Sequence, residues 1–327
     1  MAIGCENRIL LTGAGFTSNF GTPLSNQMWA WIFNYPLVQR DRAVRSQMMT
    51  DFDFENIYYK IMEGGFSAIE QATINEAVDA AYFRLDSIIR NFNNGKTVGI
   101  SLDQVKTLIE RFAPQEKQSF IFTVNQDLFL ERTYTGRRLY LPGIAQNSSW
   151  FKGSFMQKMQ YQHYVKLPSD EELEKDKKQE LNQKEFNYIK LHGSYSWLDA
   201  QESEVMVIGR GKEVKIQNEP LLRWYMEIFE NVILQPNREL LIIGYGFRDA
   251  HINSLLANAI NNANLGLHVI SPSQPSDFRS DLLDEKDSKP SGREIWTGLS
   301  GYYPFRLDEM YNLTDGVTRG GEKLYPG

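Results

Sequence analysis

The chain has 327 residues, and 35 Lys and Arg against 41 Asp and Glu leave it at a net charge of −6. That balance excludes a broad basic surface for nucleic-acid phosphates, and 42% apolar with 23% charged residues excludes a disordered chain. A single cysteine, Cys5, excludes a disulfide framework and a cysteine-built zinc module within one chain. No apolar run approaches the length of a membrane span, and Ile9–Leu11 is too short for a secretory core. A soluble, cytoplasmic chain without membrane contact is therefore expected.

In chain order, Ile9–Leu11 reads as a strand that stops at Thr12-Gly13-Ala14-Gly15, and Pro23–Tyr35 reads as a helix. Helical patterns follow at Phe54–Met62 and Leu102–Phe112. Between them Ile74, Val78, Ala81, Leu85, Ile88 and Phe92 step by four and three, which places them on one buried helix face, with a stop at Asn93-Asn94-Gly95. Residues 36–115 are thus a helical insertion. Phe120–Phe122 is the next strand and ends in Thr123-Val124-Asn125-Gln126-Asp127. The stretch from Ser169 to Glu185 is charge-dense and opens with a capping box, Ser169-Asp170-Glu171-Glu172. It reads as a solvated helix or surface segment, with a partner-docking arm as the sharper alternative.

Tyr188-Ile189 then runs into Leu191-His192-Gly193-Ser194. Val205–Ile208 is a strand of the same sheet or of a hairpin beside it. Pro220–Leu234 is helical, Leu240–Ile243 is a strand before Gly244-Tyr245-Gly246-Phe247, and Ala250–Asn262 is helical. Leu267–Ile270 ends at Ser271-Pro272-Ser273, and Trp296–Pro304 is an added strand pair or an assembly surface. Continuous apolar runs of this length are the habit of strands buried on both faces. The pattern predicts an α/β fold: a Rossmann-like, mostly parallel sheet flanked by helices. Its core is assembled from residues 1–35, 116–150 and 186–327. The insertion at 36–115 and a charged surface insertion at 151–185 interrupt it.

Five strands deliver Gly, Asn, Asp, His or Ser just past their carboxyl ends, where ligands bind in open α/β sheets. Gly13-Ala14-Gly15-Phe16-Thr17-Ser18 is neither a Rossmann fingerprint nor a P-loop, and alone it serves equally as a strand–helix turn or a phosphate cradle. Thr123, Asn125 and Asp127 alternate along a strand end, so they face one crevice if extended geometry continues. Asp127 serves as a cap for a helix from Leu128 or as an electrostatic group. His192 is a satisfied structural residue or, at the crevice, a base toward a ribose hydroxyl. Asp249 reads as a helix N-cap, His251 as structural or surface-exposed, and His268 as packing.

The succession of these motifs resembles the sirtuin family, and more closely the sirtuin-like NAD-cleaving domains of bacterial antiphage defence systems. It runs Gly13-Ala14-Gly15-Phe16-Thr17-Ser18-Asn19-Phe20-Gly21, then Thr123 to Asp127, then His192-Gly193, then Gly244-Tyr245-Gly246. Glu131 and Asp249 extend the second and fourth motifs as such domains do, so the likeness spans residues 8 to 273. The resemblance implies that Gly13, Ala14, Gly15 and Thr17 hold the dinucleotide pyrophosphate. It implies that Asn125 places the nicotinamide ribose and a water, that Asp127 steers the nicotinamide side, and that His192 is the catalytic histidine. Thr123 and Gly193 then border the site, while Gly244, Gly246 and Ser271 line the adenosine half.

Two departures bear on the activity. Leu24-Ser25-Asn26 follows Gly21-Thr22-Pro23 where deacylating sirtuins carry Asp-Phe-Arg, and the zinc-ribbon cysteines are missing. The resemblance therefore implies NAD+ hydrolysis to ADP-ribose and nicotinamide, with NAD+ as substrate and no metal. It also implies a homo-oligomer restrained or triggered by a partner such as a HerA-type motor ATPase or an Argonaute-like protein. The alternatives are a non-hydrolysing NAD or ADP-ribose-binding regulatory subunit, and an NAD-dependent deacylase or ADP-ribosyltransferase.

Overall fold

The computed structural model describes residues 8–91, 100–110, 118–134, 139–144, 165–177, 181, 186–283, 289–309, 318–319 and 322–323. Seven parallel strands form the central sheet. They are β1 (Arg8–Thr12), β2 (Ser119–Thr123), β3 (Leu139–Tyr140), β5 (Phe186–Lys190), β8 (Glu239–Ile243), β9 (Gly266–Ile270) and β10 (Leu299–Tyr303). Their spatial order is β10-β9-β8-β1-β2-β5-β3. The chain leaves β1 toward β2 on one side and returns through β8 on the other, so strand order reverses at the β1/β8 seam. That seam is the topological switch point of an open α/β sheet.

The predicted strand segments fall where expected because strands covered by helices on both faces spell continuous apolar runs. Every residue of β2, β5 and β9 is buried. Their register is equally informative. Thr12 pairs with Thr123, which pairs with Lys190, while Thr12 also pairs with Ile243, which pairs with Ile270. Five strand ends thus lie in one row across the sheet. Gly13, Asn125, His192, Gly244 and Ser271 stand one or two residues beyond it.

A second, three-stranded sheet holds β4 (Val165–Lys166), β6 (Gly193–Leu198) and β7 (Glu204–Met206), with β7 antiparallel to β6. Val205 therefore belongs to a hairpin beside the main sheet, which settles the choice the apolar pattern left open. The hairpin begins at Gly193, whose φ of 72° and a Val205 carbonyl oxygen only 2.1 Å from any added Cβ admit glycine alone. The tail supplies one strand, β10, parallel to β9 at the sheet edge, in place of a strand pair. A short antiparallel pair, β11 (Thr318–Arg319) and β12 (Glu322–Lys323), follows.

The described residues of 36–115 carry helices at Pro36–Arg40, Arg42–Met48, Phe54–Glu63, Ala68–Arg90 and Leu102–Glu110. Three of these starts are capped by side chains that accept first-turn amides: Asp41 for Ala43, Asp53 for Glu55, and Ser67 with Glu70 as a capping box. In the long helix Ile89, and not Ile88, is the buried residue near the end. Phe92 and the stop at 93–95 lie outside the described residues. The segment 151–185 contributes β4 to the small sheet, and its capped helix Asp170–Lys177 buries Leu173.

The insertion is fastened to the core by charged and polar contacts. Arg132, after β2, grips Asp86 of the long helix in a fork, 2.6 and 2.9 Å. The Tyr82 hydroxyl donates to the Gln126 side chain, whose amide nitrogen donates to the Val207 carbonyl at 2.9 Å.

The β1/β8 seam is closed by glycine. The Gly13 amide donates to Ile243 O and the Gly15 amide to Gly244 O, both at 3.0 Å. Gly244 has φ of +68°, and a Cβ there would lie 2.1 Å from the Phe16 nitrogen. Gly246, two residues on, is exposed, and a Cβ there would come no nearer than 3.9 Å to Arg248. Gly244→Ala is therefore expected to cost roughly 3 kcal/mol or more, from left-handed strain plus a backbone clash. Gly246→Ala is expected to stay within about 0.5 kcal/mol of the parent. Urea unfolding of both variants checks the contrast, and equal midpoints would show that the seam is not closed this way.

Candidate active site

Two groups of side chains stand at the carboxyl edge. The first joins the β1 and β2 turns. Asn125 donates its side-chain amide to the Gly13 carbonyl at 3.0 Å, and its own backbone amide donates to Thr123 Oγ1 at 3.0 Å. Thr123 Oγ1 in turn donates to the Thr12 carbonyl at 3.3 Å. Thr17 Oγ1 donates to Asp127 Oδ2 at 3.0 Å, and the other Asp127 oxygen accepts the Phe129 amide at 2.9 Å. Asp127 thus receives the first amide of the helix Phe129–Thr133, whose N-cap position is Leu128, and ties that helix to the β1 turn through Thr17.

Lys190 closes this group from beneath. It is fully buried, bonds the Asp127 carbonyl, and pairs with Glu131 at 2.7 Å. Burial raises the Asp127 carboxyl to about 6, although the Lys190 ammonium opposes the rise and Glu131 adds to it. Asp127 is therefore a group poised to change charge near neutrality.

The second group is centred on His192, in the turn after β5. Its Nε2 lies 2.9 Å from Nε2 of His251, in the first turn of the helix Ala250–Ala263 after β8. Strands β5 and β8 are separated by β1 and β2, a span of roughly 14 Å at ordinary strand spacing. The two imidazoles bridge that span across the ends of the intervening strands. Asp249, the helix N-cap by position, makes no capping bond. Its Oδ1 instead accepts from Lys212 at 2.8 Å, and Lys212 also pairs with Glu55 of the insertion at 2.8 Å.

Burial lowers His192 to about 3, with Lys212 and His251 adding to the effect and Asp249 opposing it. Burial likewise lowers His251. Asp249 is held below its ordinary value: burial pushes it up, but the two imidazoles beside it and the Lys212 ammonium that bonds it outweigh that. Both imidazoles are neutral at physiological pH, so one Nε2 donates to the other. His192, Asp249 and His251 also offer three ligand atoms within 4.8 Å of one another, a set that could hold a metal ion.

Residues 119–290, a little over half of the chain, match the family model of the SIR2-like domain. The chain belongs to the SIR2-like domain family. The matched segment of this SIR2-like protein carries Thr123 to Asp127, His192-Gly193, Gly244 to Asp249 and Ser271. It leaves out the Gly13 to Gly21 turn, so it is narrower than the span from 8 to 273 over which the motifs were read. SIR2-like domains use NAD+, and the protein is accordingly NAD-related. No curated protein matches the chain. Among the described residues no helix is long and apolar enough to cross a membrane.

The expected site residues thus fall into three sets. Gly13, Thr17, Thr123, Asn125 and Asp127 meet directly. Gly13 and Gly15 spend their amides on backbone carbonyls of the seam, and Ala14 between them is the exposed residue of the turn. His192 and Gly193 stand at the same edge, His192 at the centre of the second group, while Gly244 packs on the Gly15 turn. Gly246 and Ser271 stand apart: Gly246 is exposed, and Ser271 sits at the end of β9, its amide bonded to the Tyr303 carbonyl at 3.1 Å. His251, read from sequence as structural or surface-exposed, belongs to the site and bonds His192. Lys190, Lys212 and Glu55 gave no signal, because each is defined by partners distant in sequence. His268 is packed in β9 as read, between Glu239 and Tyr303.

The two titrating groups act oppositely on stability. His192, lowered when folded, makes the unfolded chain bind the extra proton, so its contribution is lost as pH falls below about 6.5. Asp127, raised when folded, makes the native chain bind the extra proton, so its contribution is lost as pH rises through about 6. Between roughly pH 4 and 6 the slopes oppose. Asp127→Asn removes the offset and should lose about 1.4 kcal/mol per pH unit more than the parent on acidification across that range. Urea melts at pH 4.5, 5.5 and 6.5 measure this, and parallel curves for the two proteins would contradict it.

Proposed function

We propose that this SIR2-like protein hydrolyses NAD+ at the nicotinamide–ribose bond, giving ADP-ribose and nicotinamide. The observation that carries the reading is the meeting of Asn125, Thr17 and Asp127 in one bonded group where the β1 and β2 turns join, with buried His192 at the same strand edge. Cleavage builds positive charge on the ribose carbon as nicotinamide leaves. An ionised Asp127 favours that charge, and its value near 6 makes it available at neutral pH. The Asn125 carboxamide, fixed by Gly13, supplies a rigid polar group for a ribose hydroxyl or the attacking water. His192 at about 3 is a weak base, so its neutral lone pair serves as a hydrogen-bond acceptor that polarises a hydroxyl.

The resemblance to antiphage defence domains supports a role in depleting NAD when a threat is sensed. In that reading the chain acts as a homo-oligomer under a motor ATPase or an Argonaute-like partner. The sequence Leu24-Ser25-Asn26 weighs against deacylation.

The test incubates purified protein with NAD+, alone and with the products of neighbouring genes, and follows products by chromatography. Equimolar nicotinamide and ADP-ribose are expected, with Asn125→Ala and His192→Ala each lowering turnover about 100-fold or more. NAD+ bound but never cleaved would mark a regulatory subunit. Consumption of NAD+ only with an acylated peptide would mark a deacylase. Full turnover in both variants would reject the site while keeping the activity.

A further inference from the structure

We infer that His192, Asp249 and His251 form a binding site for one divalent ion of the zinc class. The site draws on two places in the fold, the turn after β5 and the start of the helix Ala250–Ala263, and its ligand atoms lie within 4.8 Å of one another. Two imidazole nitrogens and one carboxylate oxygen are a donor set that zinc, cobalt and nickel accept, with a fourth position left for water. The two Nε2 atoms already face each other at 2.9 Å. On a tetrahedral zinc ion with bonds near 2.05 Å they would stand roughly 3.3–3.4 Å apart, so the rings need to separate by about half an ångström. Asp249 and His251 are half-buried and His192 is buried, so the ion has an approach from solvent on the helix side.

The surroundings carry the outer features of such a site. Metal-bound histidines commonly direct their second nitrogen at a carboxylate, and His251 Nδ1 lies 3.8 Å from Glu213 Oε1. Lys212, 2.8 Å from Asp249 Oδ1, is the opposing feature, because an ammonium repels a cation. Its charge is shared with Glu55, also at 2.8 Å. Glu55, Glu213 and Asp249 against Lys212 leave a formal charge of −2 around two neutral imidazoles, the complement of one divalent ion. Binding needs both Nε2 atoms as lone pairs. The single proton in the Nε2···Nε2 bond moves to Nδ1 of the ring that carried it, and none is released.

An ion on His192 Nε2 requires the ring proton on Nδ1 and leaves the imidazole no lone pair for a ribose hydroxyl, so it would act as a brake on turnover. That consequence rests on the proposed NAD+ hydrolysis; the binding does not. The test therefore reads binding first, without NAD+. Cobalt(II) titrated into the full chain is expected to bind one per molecule, with the visible absorption of a four-coordinate site, and to be displaced by zinc. His251→Asn and Asp249→Asn, with native circular dichroism, are each expected to weaken binding at least tenfold. No cobalt bound by the parent, or unchanged affinity in a folded His251→Asn, would overturn the site. If the variants do not fold, imidazole nitrogen NMR of the parent decides. Zinc must shift two of the four histidines together, and a titration that moves none rejects the proposal.

Discussion

Backbone lying directly on backbone is the constraint on which the carboxyl edge depends. Gly244 presses its α-carbon and carbonyl against Gly15 and Phe16, and Gly13 and Gly15 return hydrogen bonds to the β8 end. Any side chain at Gly244 would hold β1 and β8 apart and displace the turn whose Gly13 carbonyl receives Asn125. The position of Asn125, and through Thr17 that of Asp127, is thus set by a contact that no side chain makes. Glycine here is a spacing device as much as a conformational one.

Burial then sets the chemistry. At this edge the protein removes water from a carboxyl group and from an imidazole and obtains opposite results. Asp127 is raised toward neutrality and His192 is lowered far beneath it. One environment therefore supplies a carboxyl that changes charge near physiological pH and an imidazole that stays neutral. Lys190 tempers the first effect and Lys212 reinforces the second. Lys190, fully buried, and Lys212, half-buried, thus push their neighbours in ways that depend on which kind of group they face.

The strands and the order of the motifs were legible because a sheet covered on both faces leaves little freedom in composition. Phe120–Phe122 or Leu240–Ile243 have few other readings. Asn125, Asp127 and His192 could be placed at the carboxyl edge because polar residues just past such strands have an address. His251 was not, since Asp249-x-His251 at a helix start is indistinguishable from an ordinary cap and first turn. Its significance lies in His192, 59 residues away in sequence. Lys190 was hidden for a similar reason: a lysine closing an apolar strand looks like its solvent end until Glu131 and the Asp127 carbonyl are folded around it. The hairpin at Val205 and the single strand β10 turn on pairing partners, which composition does not name.

The helical insertion touches both halves of the site, through Tyr82 on Gln126 and through Glu55 on Lys212. It also lies wholly outside the segment that marks the family. A chain trimmed to its family segment would thus expose the Gln126 amide and leave Lys212 with one carboxylate instead of two. Side chains outside the segment that matches the family are therefore wired into groups inside it. Exchanging the insertion for another would retune the charge beside His192 without altering a single residue of the sheet.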